Sequence, residues 1–516
     1  MPLFEITLVL LAIAVVLLQI ARHMRVPYPA MLALVGGCVA ALPFAPHLSI
    51  EPRLALALFV APAVMDTAFD MPPRELLRIW LPLTSLAVVL VLLTTAAVAW
   101  AGWALAGLPL AAAVALGAIV APPDAAAAAA VLREFNLPRR TMAVLQGESL
   151  LNDAVALLVF GLAVSAAVSP GNEWNALLPR LGLAVPGGAL LGAASGALSI
   201  RVARKVAGTL SSIIVQFLVT FGTWILAERL SLSPIVAVVA LAAVAARYMP
   251  ARTSARDRIN SYAVWATVVF VLNVLAFLLM GLQARIILSQ LPADELRHAL
   301  VFAAIVLGVV IGVRFLWVMT YGGVVRFIQS FLEPRTLGVP MPRTRIGVLV
   351  SWCGMRGLVT LATAFSLPPE FPGRNVIVLS AFTVVLGTLV VQGFTIRPLI
   401  AVLRIAPDQS LDLEVAEARR AMLDAALAEL AGYSGEAADA VRGEYGAARA
   451  ASSGGPAGPM TQYDNLRMLA IAAERRLLAE WRRRGQIFDD TYHLLEDELD
   501  RAELNAGSLG ATSLEG

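Results

Sequence analysis

Charge is what this sequence has least of. Only 15% of its 516 residues are charged, against 59% hydrophobic. A soluble chain of that length needs far more polar surface, so the composition is that of a polytopic membrane protein. Cysteine is nearly absent: Cys38 and Cys353 are the two. Both fall in apolar runs, which suits buried thiols and leaves no disulfide framework or thiolate metal cluster. The four histidines, His23, His47, His298 and His493, fall at loops or in the tail and make no metal cluster. There is no glycine-rich nucleotide loop and no nucleophile–histidine–acid arrangement. A conventional enzyme is therefore not expected, nor a cofactor, nor a nucleic-acid partner. The first apolar run, Leu3 to Ile20, has neither a basic n-region nor a small-residue cleavage site and reads as a retained span. No pore loop or ring-forming filter appears, which weighs against a channel.

What is present in abundance is hydrocarbon. Apolar runs long enough to cross a bilayer, each of about 20 residues, begin near Leu3, Tyr28, Arg53, Trp80, Leu110, Thr141, Leu177, Leu210, Leu232, Ser261, Ala299, Ile346 and Asn375. They number thirteen, the third short and weak. With the N-terminus outside, the cytoplasmic connections carry basic clusters such as Arg22–Arg25, Arg139–Arg140, Arg201–Lys205 and Arg343–Arg345. The opposite connections carry scattered residues, Arg53, Arg229, Arg297 and Arg374 among them, as the positive-inside rule requires. The expected localisation is the inner membrane. Residues 1–405 form the transmembrane domain. Residues 406–516 form a cytoplasmic helical tail, with helical spacing at Leu411, Val415, Met422 and Leu427 and a Ser/Gly/Pro-rich break at Ala451 to Pro459. The last residues, Gly507 to Gly516, read as disordered.

Four runs carry polar or helix-breaking residues at membrane depth. The sixth holds Gly147-Glu-Ser-Leu-Leu-Asn-Asp153, with two carboxylates that are expensive in hydrocarbon and mark a functional site. Ser149 and Asp153, four apart, share one helix face; Glu148 and Asn152 share a neighbouring one. The fifth holds Ala121-Pro122-Pro123-Asp124, where paired prolines cannot continue a helix. The twelfth holds Ser351-Trp-Cys-Gly-Met-Arg-Gly357, whose glycines flank Arg356, and the third ends Pro62-Ala-Val-Met-Asp66-Thr67. Open backbone at that depth is tolerated only inside protein or beside a water-filled cavity. If runs one to six and eight to thirteen are inverted repeats, the breaks occupy matching places, a pattern that points to a transporter's binding site. Gly188, Gly192 and Gly196 form a small-residue stripe suited to close helix packing or to a dimer surface. Arg314, mid-run in the eleventh, reads as paired or as lining a cytoplasmic funnel, and Glu228 as interfacial.

These motifs, with Leu137-Pro-Arg-Arg140, Trp352-Cys-Gly-Met-Arg-Gly357 and Leu389-Val-Val-Gln-Gly393, resemble the monovalent cation:proton antiporters, in the branch of the bacterial and animal sodium/proton exchangers. The resemblance runs over nearly all of residues 1–405, and the tail is similar to that of a bacterial subgroup. It implies an all-α polytopic fold with crossed, broken helices, and a homodimer in which a six-helix core moves against an interface domain. It implies that Asp153 binds cation and proton in alternation, with Ser149 as a coordinating hydroxyl. Asn152 matches the asparagine of electroneutral exchangers, and Asp124 the broken-helix aspartate. Glu148 and Arg356 match a buried ion pair, and Asp66 a third-run carboxylate that helps hold the cation. One departure stands out. Many members read Thr-Asp-Pro where this chain has Pro123-Asp124-Ala125, so a threonine oxygen is missing.

The residues support that chemistry on their own terms. A carboxylate holds either a proton or a small hard cation, and oxygen ligands suit sodium and lithium. Competition at one site, joined to alternating access, gives exchange, most simply one proton per sodium. Asp124 stands open between a ligand and a charge that neutralises broken helix ends. The expectation is a sodium/proton antiporter acting in sodium extrusion and intracellular pH regulation. A potassium/proton antiporter is the alternative, with a cation channel or a signalling receptor as readings from other classes.

Overall fold

A helix lies over each of the thirteen apolar runs. The computed structural model describes residues 3–24, 26–40, 51–71, 78–124, 127–128, 132, 135, 137–168, 174–206, 209, 211–248, 255–289, 292–331, 344–405, 408, 410–451, 462–484, 486, 491, 495–496 and 498–503. Arg25, His47, Ala125, Arg343, His493, most of the break after Ala451 and the terminal residues from Gly507 lie outside the described residues. The described residues are all-helical and contain no strand.

The helices are α1 (Leu3–Met24), α2 (Tyr28–Ala40), α3 (Pro52–Phe69), α4 (Trp80–Ala106), α5 (Leu110–Val120), α6 (Arg139–Val168) and α7 (Trp174–Val206). Then come α8 (Ser211–Arg229), α9 (Pro234–Tyr248), α10 (Ala255–Leu282) and α11 (Ala293–Phe331). The twelfth run is split into α12 (Thr344–Trp352) and α13 (Leu358–Phe365), and α14 (Arg374–Leu403) covers the thirteenth. Eight of these stretches are long and apolar enough to cross a membrane: α3, α4, α6, α7 from Gly182, α8, α10, α11 and α14. The protein is a multi-pass membrane protein, and its exposed leucines, valines and tryptophans, such as Leu190, Trp100 and Leu218, are what a lipid-facing surface requires.

Local sequence explains where regular helix fails. α5 stops at Val120 because Pro122 and Pro123 each remove a donor and obstruct the preceding turn. The twelfth run opens between Trp352 and Leu358, around Gly354 and Gly357. The third run, weak in the sequence, is helical throughout but widens to π-helix over Leu56–Val60; α4 does the same over Ser85–Leu90. Such widened turns recur at functional sites. α14 is the interior helix of the domain, two-thirds buried where the other long helices are half buried or less.

Two glycines show how closely the helices approach. A Cβ at Gly117 of α5 would run into the backbone of Thr95 on α4. A Cβ at Gly192 of α7 would run into the carbonyl oxygen of Ala237 on α9. The stripe Gly188–Gly192–Gly196 is therefore covered by α9 of the same chain, through Ser233, Ala237, Ala240 and Val244. It serves close helix packing; as a dimer surface the stripe is already occupied.

The chain divides into two compact units, Met1–Pro407 and Asp408–Gly516. The second holds α15 (Ser410–Leu430), α16 (Glu436–Ala451) and α17 (Gln462–Arg483). α15 and α16 form a hairpin closed by Arg449 on Asp424, with Gly435 supplying the positive φ of the turn. Arg475 of α17 pairs with both Asp500 and Glu503. Of the two cysteines, Cys353 is buried as expected, whereas Cys38 is exposed, because α2 turns that side away from α10.

Gly192→Ala should lower the thermal unfolding midpoint of the detergent-solubilised protein, by an overpacking cost of about 1–3 kcal/mol. Gly222→Ala on α8, where a Cβ meets open space, should leave the midpoint unchanged. Equal midpoints for the two variants would show that α7 and α9 are not in close contact.

Candidate functional site

The two broken runs meet at the centre of the first unit. Their unwound backbones are joined directly, the Asp124 amide donating to the Met355 carbonyl at 2.7 Å. Arg356, buried to 1% exposure, fills the space between the helix ends. Its Nε donates to the Val120 carbonyl at 3.1 Å and one Nη to that of Ala121 at 3.2 Å, both at the C-terminal end of α5. The other Nη donates to Gly354, just past the end of α12. A cation thus sits where two helix dipoles end in open carbonyls. Its own amide donates to Thr388 Oγ1 of α14 at 3.0 Å.

Asp124 is the counterpart at the opposite dipole end. Its carboxylate lies against Gly357, the residue that caps the start of α13, so closely that a Cβ there would overlap it. Only glycine permits this approach. The arrangement is that of a charge neutralising a helix N-terminus, and Asp124 also lines the site cavity described next.

A cavity of about 10 Å³ is lined by Pro123, Asp124, Ala128, Leu145, Glu148, Ser149 and Cys353. That is room for about one water-sized particle. Ser149 and Asp124 bring oxygen to it. Asp153, buried at 6% exposure, does not line it but stands one turn along the same face of α6 as Ser149. Asn152 is fully buried; its Nδ2 donates to the Pro123 carbonyl at 3.1 Å, which closes one of the carbonyls freed by the proline pair. Its Oδ1 has no hydrogen-bond partner among the described residues. Asp66 is half-buried on α3, a helix that touches α6, but it is not part of the cavity wall. Cys353 is a wall residue that the sequence reading treated only as a buried thiol.

The expected ion pair between Glu148 and Arg356 is not what forms. Glu148 pairs with Arg314 of α11: Nη1 donates to Oε1 at 2.5 Å and Nη2 to Oε2 at 2.9 Å, with both side chains 1% exposed. The same guanidinium donates to the Val350 carbonyl of α12 through Nε (3.2 Å) and Nη2 (3.1 Å). The reason is geometric. Arg356 is taken up by carbonyls of the unwound turns, while Arg314 reaches Glu148 face to face in the two-pronged arrangement that suits a carboxylate. Of the two readings given for Arg314, the structure has the paired one. Glu228 also has an ionic partner, Arg53 at 3.8 Å, on the exposed rim.

The family model for the transmembrane region of sodium/hydrogen exchangers matches residues 8–402. The chain belongs to the sodium/hydrogen exchanger family. It is 32% identical to an uncharacterized Na+/H+ exchanger of Mycobacterium tuberculosis, over 82% of this chain and 79% of the relative. It is 31% identical to a sodium, potassium, lithium and rubidium/H+ antiporter of Bacillus pumilus, over 83% and 66%. The fold is similar to that of the sodium proton antiporter MjNhaP1 from Methanocaldococcus jannaschii, with a TM-score of 0.56 at 16% identity, covering 77% of this chain and 97% of that one. The family is one of membrane transporters that exchange a monovalent cation for a proton, not one of enzymes.

Removing either member of a buried ion pair strands the other, at about 3–5 kcal/mol. Glu148→Gln and Arg314→Met should each lower the unfolding midpoint strongly, and the double variant by less than the sum. Glu148→Gln with Arg356→Met should show much weaker coupling. A double-mutant cycle on the thermal midpoint that finds the larger coupling with Arg356 would overturn the assignment.

Proposed function

We propose that this chain exchanges one sodium ion for one proton across the inner membrane, the two competing for Asp153. The observation that carries the reading is the balance of charge at the crossing. Arg314 and Arg356 supply two positive charges against the three carboxylates Glu148, Asp124 and Asp153. One negative charge is in excess. A single proton or a single monovalent cation cancels it, and nothing at the centre calls for a second.

Within this reading Glu148 is spoken for by Arg314, and Asp124 by the start of α13. Asp153 is left as the exchanging group, with Ser149 and the cavity below it as the cation's other contacts. Sodium is a hard cation that takes carboxylate, hydroxyl and carbonyl oxygen. Asn152 cannot add a charge, so the loaded site carries the same net charge with either ion, and the cycle is electroneutral. Asp66, on α3 outside the cavity, acts on the ion's approach. Driven by an inward proton gradient, such a carrier expels sodium and sets cytoplasmic pH. The N-terminus lies outside, the tail is cytoplasmic, the two halves are inverted repeats, and the working unit is a homodimer without cofactor.

Potassium is the second reading. It is favoured by Pro123 in the place where many relatives carry threonine, which removes an oxygen and loosens the preference for small ions. The Bacillus pumilus relative is named for sodium, potassium, lithium and rubidium.

The test uses everted membrane vesicles with an acid interior. Adding sodium should release protons and restore the fluorescence of a pH dye, equally with the membrane potential clamped or free. Asp153→Asn should abolish the response. No response to sodium, potassium or lithium from correctly inserted protein would rule out the antiporter, and full activity in Asp153→Asn would rule out the site. A rate that follows the potential would rule out electroneutrality.

A further inference from the structure

The second unit, Asp408–Gly516, has almost no core. Among its described residues Ile471 and Leu478, both on α17, are the buried side chains. Other large apolar groups stand in the open: Met422 is 72% exposed, Leu469 64% and Leu477 49%. A unit with so few buried side chains is marginal by itself, and apolar surface left open in a body marks a contact.

The open groups are ordered. On α15 Val415, Ala418, Met422 and Ala425 are exposed at steps of three and four residues; on α17 so are Ala470, Ala473, Leu477 and Trp481. Each set is a one-sided stripe along its helix. Neither stripe is the side that meets its own chain. α15 is tied to α16 through Asp424, on the side away from Met422. α17 turns Ile471 and Leu478 inward, with Arg467 on Glu444 and Arg475 on Asp500 and Glu503. That face lies about 100° round the helix from the stripe.

Charge says what covers the stripes. Residues 408–516 carry 20 acidic side chains against 11 basic ones, so an anionic lipid surface repels the unit. The two helices differ in sign: α15 has five acidic residues against two arginines, α17 five arginines against three acidic residues. Each stripe therefore pairs best with the other and worst with its own kind. Within one chain the two are turned to different neighbours. In a second copy both are available, and a two-fold axis supplies the contact twice. Only residues 404–409 separate α14 from α15, so the two tails of a homodimer are held at high effective concentration.

We infer that the tail is a dimerisation element. The Val415–Ala425 stripe of α15 in one copy seats on the Ala470–Trp481 stripe of α17 in a second copy, and the reverse contact forms by symmetry. Arg476 and Arg483, exposed beside the α17 stripe, meet the acidic helix of the other copy. The inference rests on the homodimer proposed for the antiporter.

The experiment uses full-length protein purified in detergent, with Cys38→Ser as background so that the buried Cys353 is the remaining native thiol. Met422→Cys and Leu477→Cys are placed in separately tagged copies, co-expressed and treated with a short bismaleimide. A covalent dimer carrying both tags is expected, and neither variant alone should give one. Arg476→Glu with Arg483→Glu should abolish the product and leave the helical content unchanged. Light scattering on the same samples separates the two levels. A dimer without the 422–477 cross-link would overturn the inference and leave the homodimer standing, whereas a monomer would overturn both. With both cysteines in one copy, a cross-link confined to that chain would mean that α17 folds onto its own α15. A strong product from Met422→Cys alone would mean that like helices pair. Either result would overturn the inference.

Discussion

Everything at the centre of this molecule follows from the need to satisfy open backbone away from water. Two helices are interrupted at membrane depth, and each interruption frees carbonyls and amides that hydrocarbon cannot solvate. Arg356 answers most of that demand. Its guanidinium spans the ends of α5 and α12, and its amide ties the junction to α14. A buried guanidinium is itself expensive, yet here its donors meet carbonyls already made electronegative by helix dipoles. Asp124 completes the pattern by bringing negative charge to the beginning of α13. The breaks and the two charges need one another; neither is stable at this depth alone.

Once the junction is held that way, the remaining carboxylates are sorted by their partners. Glu148 cannot share Arg356, whose donors point at carbonyls, and takes Arg314 instead. That leaves Asp153, one helical turn from Ser149, as the acid with no guanidinium of its own among the groups at the crossing. Asn152 spends its donor on the Pro123 carbonyl and keeps an acceptor in reserve, a neutral group on a neighbouring face of α6. A site with one unbalanced negative charge, a hydroxyl and room for about one small particle suits a single monovalent ion.

How much of this was legible in the sequence depends on whether the feature is local. Pro122-Pro123 forces a break wherever it occurs, so the end of α5 was readable, as were the weak point at Gly354–Gly357 and the shared face of Ser149 and Asp153. The fold class was legible from composition, and the family from the motif around Asp153. What could not be read was partner choice across the fold. Glu148 and Arg314 are 166 positions apart, and only the crossing of α6 with α11 decides that they meet. A signal did exist: an arginine in the middle of an apolar run needs a carboxylate, and Glu148 was available. The glycine stripe on α7 was ambiguous for the same reason. Its periodicity is identical whether the neighbour is another helix of this chain or a second copy, and here it is α9. The exposure of Cys38 likewise depends on which side of α2 meets α10.

The bonds that stabilise the crossing also limit how it can move. Ser85 of α4 accepts from Trp317 of α11; Arg314 of α11 holds both Glu148 on α6 and Val350 on α12; Arg356 reaches from the twelfth run to the end of α5 and to α14. The fourth, fifth, sixth, eleventh, twelfth and thirteenth runs are thus linked by polar bonds in a low-dielectric interior, where breaking one leaves a buried group unsatisfied. α7 and α9, by contrast, meet chiefly through glycine against backbone, with one hydrogen bond at the edge of the contact, from the Ser233 amide to the Ala184 carbonyl. A body tied by buried hydrogen bonds resists internal sliding far more than apolar surfaces resist sliding past each other. A rearrangement that exposed Asp153 alternately to two sides would carry these six runs together, with the flexible allowance confined to the unwound turns and the π-widened stretch within α4.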